Sequence, residues 1–399
     1  MSCSSSVAQT VAAVKSRVAV SRLMLTNFRS YGMLDLRIDD SHVVLVGANG
    51  AGKTNVLEAL SMLAPGRGLR GARLGELSRL PAAGVAGDMS GERPWAVSAT
   101  IAVAAGEHQL GVGYLPGGAE SGIAKRTVRI DGAPVANVAQ LADYVRLIWL
   151  SPSMDRLFVE GVSDRRKFLD RLISSFDPLH AKRWAQFESA MRERIGALRS
   201  GGNASWLRAQ ERTMAEAGVV VAASRLAGVG RLAVALESLH ASVFPKADIG
   251  VSGWIENELA TRPAVDVEDE YTARLERSRD KDLESGRTSD GPHLTDFLVR
   301  HREKSRSASL CSTGEQKALL IRVVLGCASL QAPGAPDKPI LLLDEIAAHL
   351  DDARRRALFD EIDALNVQAW ITGTDAFTFS SLEGRAQFKR VADGQIRSL

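Results

Sequence analysis

Two short stretches of this 399-residue chain carry side chains suited to phosphate chemistry. Gly47-Ala48-Asn49-Gly50-Ala51-Gly52-Lys53-Thr54 fits the pattern G-x-x-x-x-G-K-[ST]. Glycines at such positions let the backbone curl until its N–H groups face phosphate oxygens, in conformations that a Cβ obstructs. Lys53 then brings a point charge to the β and γ phosphates, and the Thr54 hydroxyl is a ligand for Mg2+. The second stretch, Ile340-Leu341-Leu342-Leu343-Asp344-Glu345, ends a short apolar run in two carboxylates. Asp344 is placed to hold Mg2+, directly or through water, and Glu345 to polarise an attacking water. Together they predict ATP and Mg2+ as ligands.

A third stretch narrows the class. Ser312-Thr313-Gly314-Glu315-Gln316 precedes Asp344 by 32 residues. Its S-x-x-E spacing is a helix capping box. It is also similar to the signature of ABC-type ATPases, where the serine hydroxyl and the glycine N–H bind the γ-phosphate of a nucleotide held by the other subunit. Both readings hold together, because capping orients the same N–H groups. Ala348-His349-Leu350-Asp351 resembles the ABC D-loop, which crosses the dimer interface, and His349 within it reads as a surface histidine. Thr372-Gly373-Thr374-Asp375 stands where many ABC ATPases carry a switch histidine, so γ-phosphate sensing falls here to threonine or aspartate side chains.

These residues need strands before them and helices after them. SRLMLTNFRSY and MLDLRI alternate like two strands, and His42–Val46 is a short buried strand rich in β-branched residues. Val56, Leu57, Leu60 and Leu63 then form one helical stripe that Pro65 stops. Residues 95–103 and 126–131 read as strands. Trp184, Phe187, Met191, Ile195 and Leu198 form a helical seam, Gly201-Gly202-Asn203 breaks it, and a second helix from about 205 to 240 folds back. A helix starts near Ser312, strands cover 339–343 and 369–372, and a helix covers 352–365.

The expected fold is therefore α/β: an ABC-type P-loop ATPase head assembled from N- and C-terminal segments, with a short inserted helical arm. Residues 1–20 form an acid-free, Ser/Ala-rich extension, 21–160 and 286–399 the two lobes of the head, and 161–285 the arm. Hydrophobic residues at 45% and charged residues at 24% exclude a disordered or fibrous chain. The chain contains no run near the ~20 apolar residues of a membrane helix, so the expectation is a protein without a membrane partner. Cys3, Cys311 and Cys327, an odd set with no C-x-x-C pair, predict neither a disulfide framework nor a zinc site. They fit a reducing, cytoplasmic setting. The net charge of +3 confines any DNA-binding surface to local patches.

The motifs together resemble the RecF family of recombination and repair proteins, which are SMC-like ABC ATPases. Asn27-Phe28-Arg29-Ser30-Tyr31 is similar to the family's N-F-R-x-Y, and Gly47 to Thr54 with Asn55 and Glu58 to its G-x-N-G-x-G-K-T-N-x-L-E. Gly66-Arg67-Gly68-Leu69-Arg70 is similar to G-R-S-x-R, Arg165–Asp170 to R-R-x-F-L-D, and Gly291-Pro292-His293 to G-P-H. The chain departs from the family at Pro152-Ser153-Met154, where the carboxylate comes one place later at Asp155. It departs again after Gly291-Pro292-His293, where Leu294-Thr295-Asp296 costs a basic and an acidic group in an expected arm-to-head contact. Glu315 stands where relatives often have Gln.

The resemblance implies a weak DNA-stimulated ATPase of recombinational gap repair. Its ATP-bound homodimer would clamp single-strand/double-strand junctions without sequence preference and help load the RecA recombinase with RecO- and RecR-type partners. It implies nucleotide contacts at residues 47 to 55, at Ser312, Gly314 and Gln316, and at Asp351, with Glu345 catalytic. Three basic clusters are candidates for DNA phosphates: Arg67, Arg70, Arg73 and Arg79; Arg165, Arg166, Lys167 and Arg171; and Arg300, Arg302, Lys304 and Arg306. A solvated charged face is the competing reading of each. An ABC transporter subunit is the alternative function, disfavoured by the missing switch histidine and the helical insertion.

Overall fold

The computed structural model describes residues 17–79, 93–117, 125–240, 242–332, 338–347 and 350–399. At its centre lies a six-stranded sheet in the order Gln395–Ser398, Ala386–Ala392, His42–Val46, Ala369–Gly373, Ile340–Leu343 and Leu147–Leu150. The last five strands are parallel, and the first is an antiparallel edge. Parallel strands covered on both faces need continuous apolar runs, and HVVLV, ILLL and LIWL are buried throughout.

Alternate side chains of these strands feed two cores. Val43, Leu45, Ile340, Leu342 and Trp370 pack with the P-loop helix, Lys53–Ser61, and with a second sheet. Val44, Val46, Leu341, Leu343 and Ile371 pack on the other face with the helix Thr313–Ser329. The second sheet is antiparallel, in the order Tyr31–Arg37, Ala19–Phe28, Trp95–Val103, Gly106–Leu115, Lys125–Ile130 and Ala133–Val135. The P-loop helix ends at Ser61, ahead of Pro65, and its stripe of Val56, Leu57 and Leu60 is fully buried, as is Leu63 just beyond it.

The arm consists of Leu179–Arg199 and Ala204–Ser238 packed on each other, joined at Gly201 in a left-handed conformation (φ 67°). Its core gathers Phe187, Met214, Val219, Ile255 and Tyr271. The 35-residue second helix spans about 52 Å. By length and apolar composition it would suffice to cross a membrane, but 56% of its most apolar stretch is buried inside the protein. Glu211 and Arg225 on it are fully buried.

The division at the arm's base differs from the expected one. Ala247–Ser252, inside the 161–285 stretch, pairs antiparallel with Asp296–His301 from the C-terminal segment. Val162–Phe176, likewise expected in the arm, buries Phe168, Leu169, Leu172, Ile173 and Phe176 in the head's core. Strand pairing and an amphipathic stripe thus fuse the base of the arm to the head.

Two sequence motifs meet at that base. Arg165 forms a bidentate pair with Asp296, at 2.8 and 2.9 Å, and Arg166 donates to the Thr295 carbonyl at 3.0 Å. Asp170 accepts both arms of Arg225 at 2.8 Å and faces the His180 ring at 2.9 Å. Arg225 donates onward to the Pro292 carbonyl. Asp296 therefore supplies the carboxylate of an arm-to-head contact despite the changed residues before it. Arg171 stacks over Trp149, and burial draws its pKa down to about 10. In the second basic cluster Lys167 is exposed, beside Asp164. Its three arginines are half-buried and engaged by Asp296, the Thr295 carbonyl and Trp149, which leaves Lys167 as the exposed member of this candidate DNA cluster.

Candidate active site

The P-loop joins the end of His42–Val46 to the start of Lys53–Ser61. Gly50 and Gly52 have φ of 81° and 107°, where an L side chain is strained. A Cβ on Gly47 would sit 2.3 Å from the Val391 carbonyl oxygen, and one on Gly52 2.7 Å from Ser30 Oγ. The Lys53 ammonium curls back inside the loop and donates to the carbonyls of Gly47 (2.7 Å) and Ala48 (2.9 Å). Burial lowers its pKa while the Glu345 and Asp344 carboxylates oppose that shift. Ala48, Asn49 and Gly50 are exposed, Ala51 is half-buried, and the loop's crest is open to a ligand.

Asp344 stands at the end of the neighbouring parallel strand. Its Oδ1 accepts from Thr54 Oγ1 at 2.8 Å and from Thr372 Oγ1 at 2.8 Å. A carboxylate and a hydroxyl converging at this distance fit the oxygen-rich shell that Mg2+ requires. Glu345 follows with φ 50°, a left-handed residue that is not glycine. Its N–H donates to Thr372 Oγ1 at 2.8 Å, so one buried hydroxyl fixes both carboxylate-bearing residues. Glu345, Asn49, Thr374, Thr378 and Arg355 line a cleft of about 250 Å³.

Tyr31 and Glu58 stood in the sequence as motif residues without roles, and Asn55 as an expected nucleotide contact. The Tyr31 phenol is fully buried and donates to the Gly52 carbonyl at 3.1 Å, under the last turn of the loop. Glu58, also fully buried, accepts both arms of Arg29 at 2.9 Å and Arg70 at 3.0 Å. Asn55 bridges Ser30 and Arg70, at 2.9 Å each, rather than standing free. Their polar types in otherwise apolar segments were the available signal.

Ser312 caps the helix Thr313–Ser329 in a reciprocal box with Glu315. Gly314 is in the first turn, and the Arg354 guanidinium lies 3.6 Å from where its Cβ would be. The Gln316 amide is buried and donates to the Cys311 carbonyl at 2.9 Å, bracing the chain before the cap. Asp351 caps the helix Asp352–Ala364, accepting from Arg354 N at 2.8 Å. Ala348 and His349 lie outside the described residues. Asp155 pairs with Lys317 at 3.3 Å and ties the turn Pro152–Arg156 to the signature helix. Asp375 is consumed locally, accepting from the N–H of Thr378 at 2.9 Å and from its hydroxyl. Of the residues in place of a switch histidine, Thr372 therefore reaches Asp344 and Thr374 lines the cleft.

Within one chain, the P-loop helix and the signature helix pack on opposite faces of the central sheet. The structure brings Lys53, Thr54, Asp344 and Glu345 together and sets Ser312 on a separate element.

Residues 19–396 match the RecF/RecN/SMC N-terminal domain. The DNA replication and repair protein RecF of Rhizobium etli (strain CIAT 652) is 48% identical over 382 residues, covering 95% of this chain and 99% of the relative. RecF of Brucella suis biovar 1 (strain 1330) is 46% identical, covering 96% and 97%. Among solved structures, the recombination mediator protein RecF-ATP in the RecFOR pathway superposes with a TM-score of 0.81 at 23% identity, over 98% of this chain and 99% of that one. Sequence and fold agree, and the chain belongs to the RecF family of SMC-like ABC ATPases.

Proposed function

We propose that the protein is an ATP-dependent DNA-binding protein of recombinational gap repair and a slow, DNA-stimulated ATPase. The observation that carries this reading is the convergence of Lys53, Thr54, Asp344 and Glu345 on one open loop, with the Ser312 tip on the other face of the sheet. The Gly47–Thr54 amides cradle the phosphates, and the helix behind them adds its positive N-terminal end. Lys53 offsets the phosphate charge. Thr54 and Asp344 would hold Mg2+, which when bound neutralises charge on the phosphate oxygens. Glu345, anchored through its N–H, orients the attacking water and takes its proton. Ser312 and Gly314 of a second copy close each site, with Asp351 at the crossing between the copies. ATP binding therefore assembles a homodimer and hydrolysis releases it.

DNA is the partner this clamp would hold, at single-strand/double-strand junctions and without sequence preference, in the cytoplasm. The RecF relatives act in DNA replication and repair by name, and a similar solved structure is described within the RecFOR pathway. RecO- and RecR-type mediators and RecA loading follow from that kinship. The helical arm and the absence of a switch histidine weigh against a transporter subunit. Sedimentation with and without ATP-Mg2+ and gapped duplex, on wild type and Glu345→Gln, tests the reading. We expect an ATP-dependent dimer that the variant accumulates and gapped DNA stabilises. A monomer under every condition overturns it.

A further inference from the structure

The tip of the signature helix carries an anion at the place where another anion is to dock. Glu315 Oε2 accepts from the Ser312 N–H at 2.9 Å and from the Ser312 hydroxyl at 3.0 Å, and that hydroxyl is one of the two groups, with the Gly314 N–H, that a γ-phosphate would use. Its other oxygen, Oε1, is held by the ammonium of Lys304, which comes from the turn between Asp296–His301 and Arg306–Ser307. The Lys304 contact, with the two Ser312 bonds, holds the Glu315 carboxyl down to about 2, so it is ionised throughout the neutral range. An unbalanced carboxylate there would repel a triphosphate arriving at the same hydroxyl.

A second cation nearby, Arg354, already faces Asp351 at 3.8 Å. Lys304 has no second acidic partner among the described residues. Half-exposed, it remains able to follow Glu315 when the Ser312 hydroxyl turns to a ligand.

We propose that Lys304 is a positioning residue of the shared site, neutralising Glu315 so that this glutamate-bearing tip accepts the triphosphate of a second copy of the chain. The proposal rests on the shared-site reading above. It makes Lys304 dispensable once residue 315 is uncharged, because glutamine preserves the S-x-x-[EQ] capping box while removing the repulsion.

The test is a double-mutant cycle in the Glu345→Gln background, with ATP-Mg2+ as the probe and dimer formation read by sedimentation. Lys304→Ala is expected to weaken the dimer about tenfold. Glu315→Gln should dimerise at least as well as the parent. The combined variant should match Glu315→Gln, while thermal midpoints and binding of a fluorescent ATP analogue by the monomer stay unchanged. Lys304→Ala dimerising like the parent, or remaining weak once Glu315 is replaced, overturns the proposal and leaves the shared site standing. If the parent and all variants stay monomeric with ATP, the shared site itself is wrong and the role of Lys304 falls with it.

Discussion

Thr372 Oγ1 donates to Asp344 Oδ1 at 2.8 Å, and that same hydroxyl accepts the N–H of Glu345 at 2.8 Å. One buried threonine thereby sets the Asp344 carboxylate and holds the next residue in its left-handed conformation. Thr372→Val keeps the volume and removes both bonds. ATP turnover should fall about 10- to 100-fold, with nucleotide binding largely kept. The fold should lose about 1–3 kcal/mol because the Glu345 N–H is left unpaired. Thr372→Ser should recover most of the rate. Valine turning over ATP normally would show that the hydroxyl only fills space.

Lys53, Glu345 and Ser312 separate three events. Lys53→Met should lose ATP binding, since it removes the ammonium seated inside the loop. Glu345→Gln should bind ATP and accumulate dimer. Ser312→Arg should bind ATP as a monomer and fail to dimerise. Equilibrium nucleotide binding alongside sedimentation reads all three, and a Ser312→Arg protein that dimerises normally would contradict the shared site.

Tyr31 lies under the P-loop with its phenol on the Gly52 carbonyl, and burial pushes its pKa well up, so it stays a donor at any physiological pH. Tyr31→Phe should cost about 1 kcal/mol of stability and weaken ATP binding several-fold, with turnover at saturation little changed. An unaltered ATP affinity would confine the residue to packing.

Asp170 makes the stability of the arm's base depend on acid. Burial alone would raise its pKa, but the His180 ring and the Arg225 guanidinium outweigh burial and hold it below the usual carboxylate range. In the unfolded chain it returns to about 3.9. Between the two values the unfolded state binds the extra proton, so this stabilisation is complete above about pH 5 and disappears as pH falls through the native value. Asp170→Asn should flatten that acid limb in urea melts. Arg225→Met, which strands a largely buried carboxylate, should cost about 3–5 kcal/mol at neutral pH.

The basic clusters predict a division in DNA binding. Arg67, Arg73, Arg79 and Arg306 are exposed and pair with no carboxylate among the described residues, whereas Arg302 is held by Asp248 and Glu237. Alanine at a phosphate-contacting member of the free set should lower the salt slope on duplex by about 0.9 and leave the melting temperature alone. Arg165→Ala should do the reverse, lowering stability through Asp296 with an unchanged slope. Equal slopes for all the free-set variants would move the DNA surface elsewhere.

Residue order alone determined the parts of this protein that depend on neighbours in the chain. The P-loop needs glycines at fixed offsets and a helix directly behind them, the Asp344-Glu345 carboxylates need only the end of an apolar strand, and Ser312 caps its helix through a residue three places on. Each is a local hydrogen-bond or periodicity rule, so Gly47–Thr54, Asp344-Glu345 and the capping box stood where they were expected. The helical hairpin of the arm was equally legible, its second helix running over 204–238.

Tertiary structure decided everything that joins distant residues. Thr54 and Asp344 are 290 positions apart and meet only because their strands flank Ala369–Gly373 in one sheet. The strands Leu147–Leu150, Ala247–Ser252 and Ala386–Ala392 went unread: the apolar run LIWL carries no period that separates strand from buried helix, and the mixed residues of ADIGVS and AQFKRVA mark no clear face. Arg165, Arg166 and Arg171 looked like a surface for DNA, and Asp296, the Thr295 carbonyl and Trp149 drew them inward. A charged side chain announces its chemistry in the sequence, but whether it faces water or a partner is set by what the fold brings within a few ångströms of it.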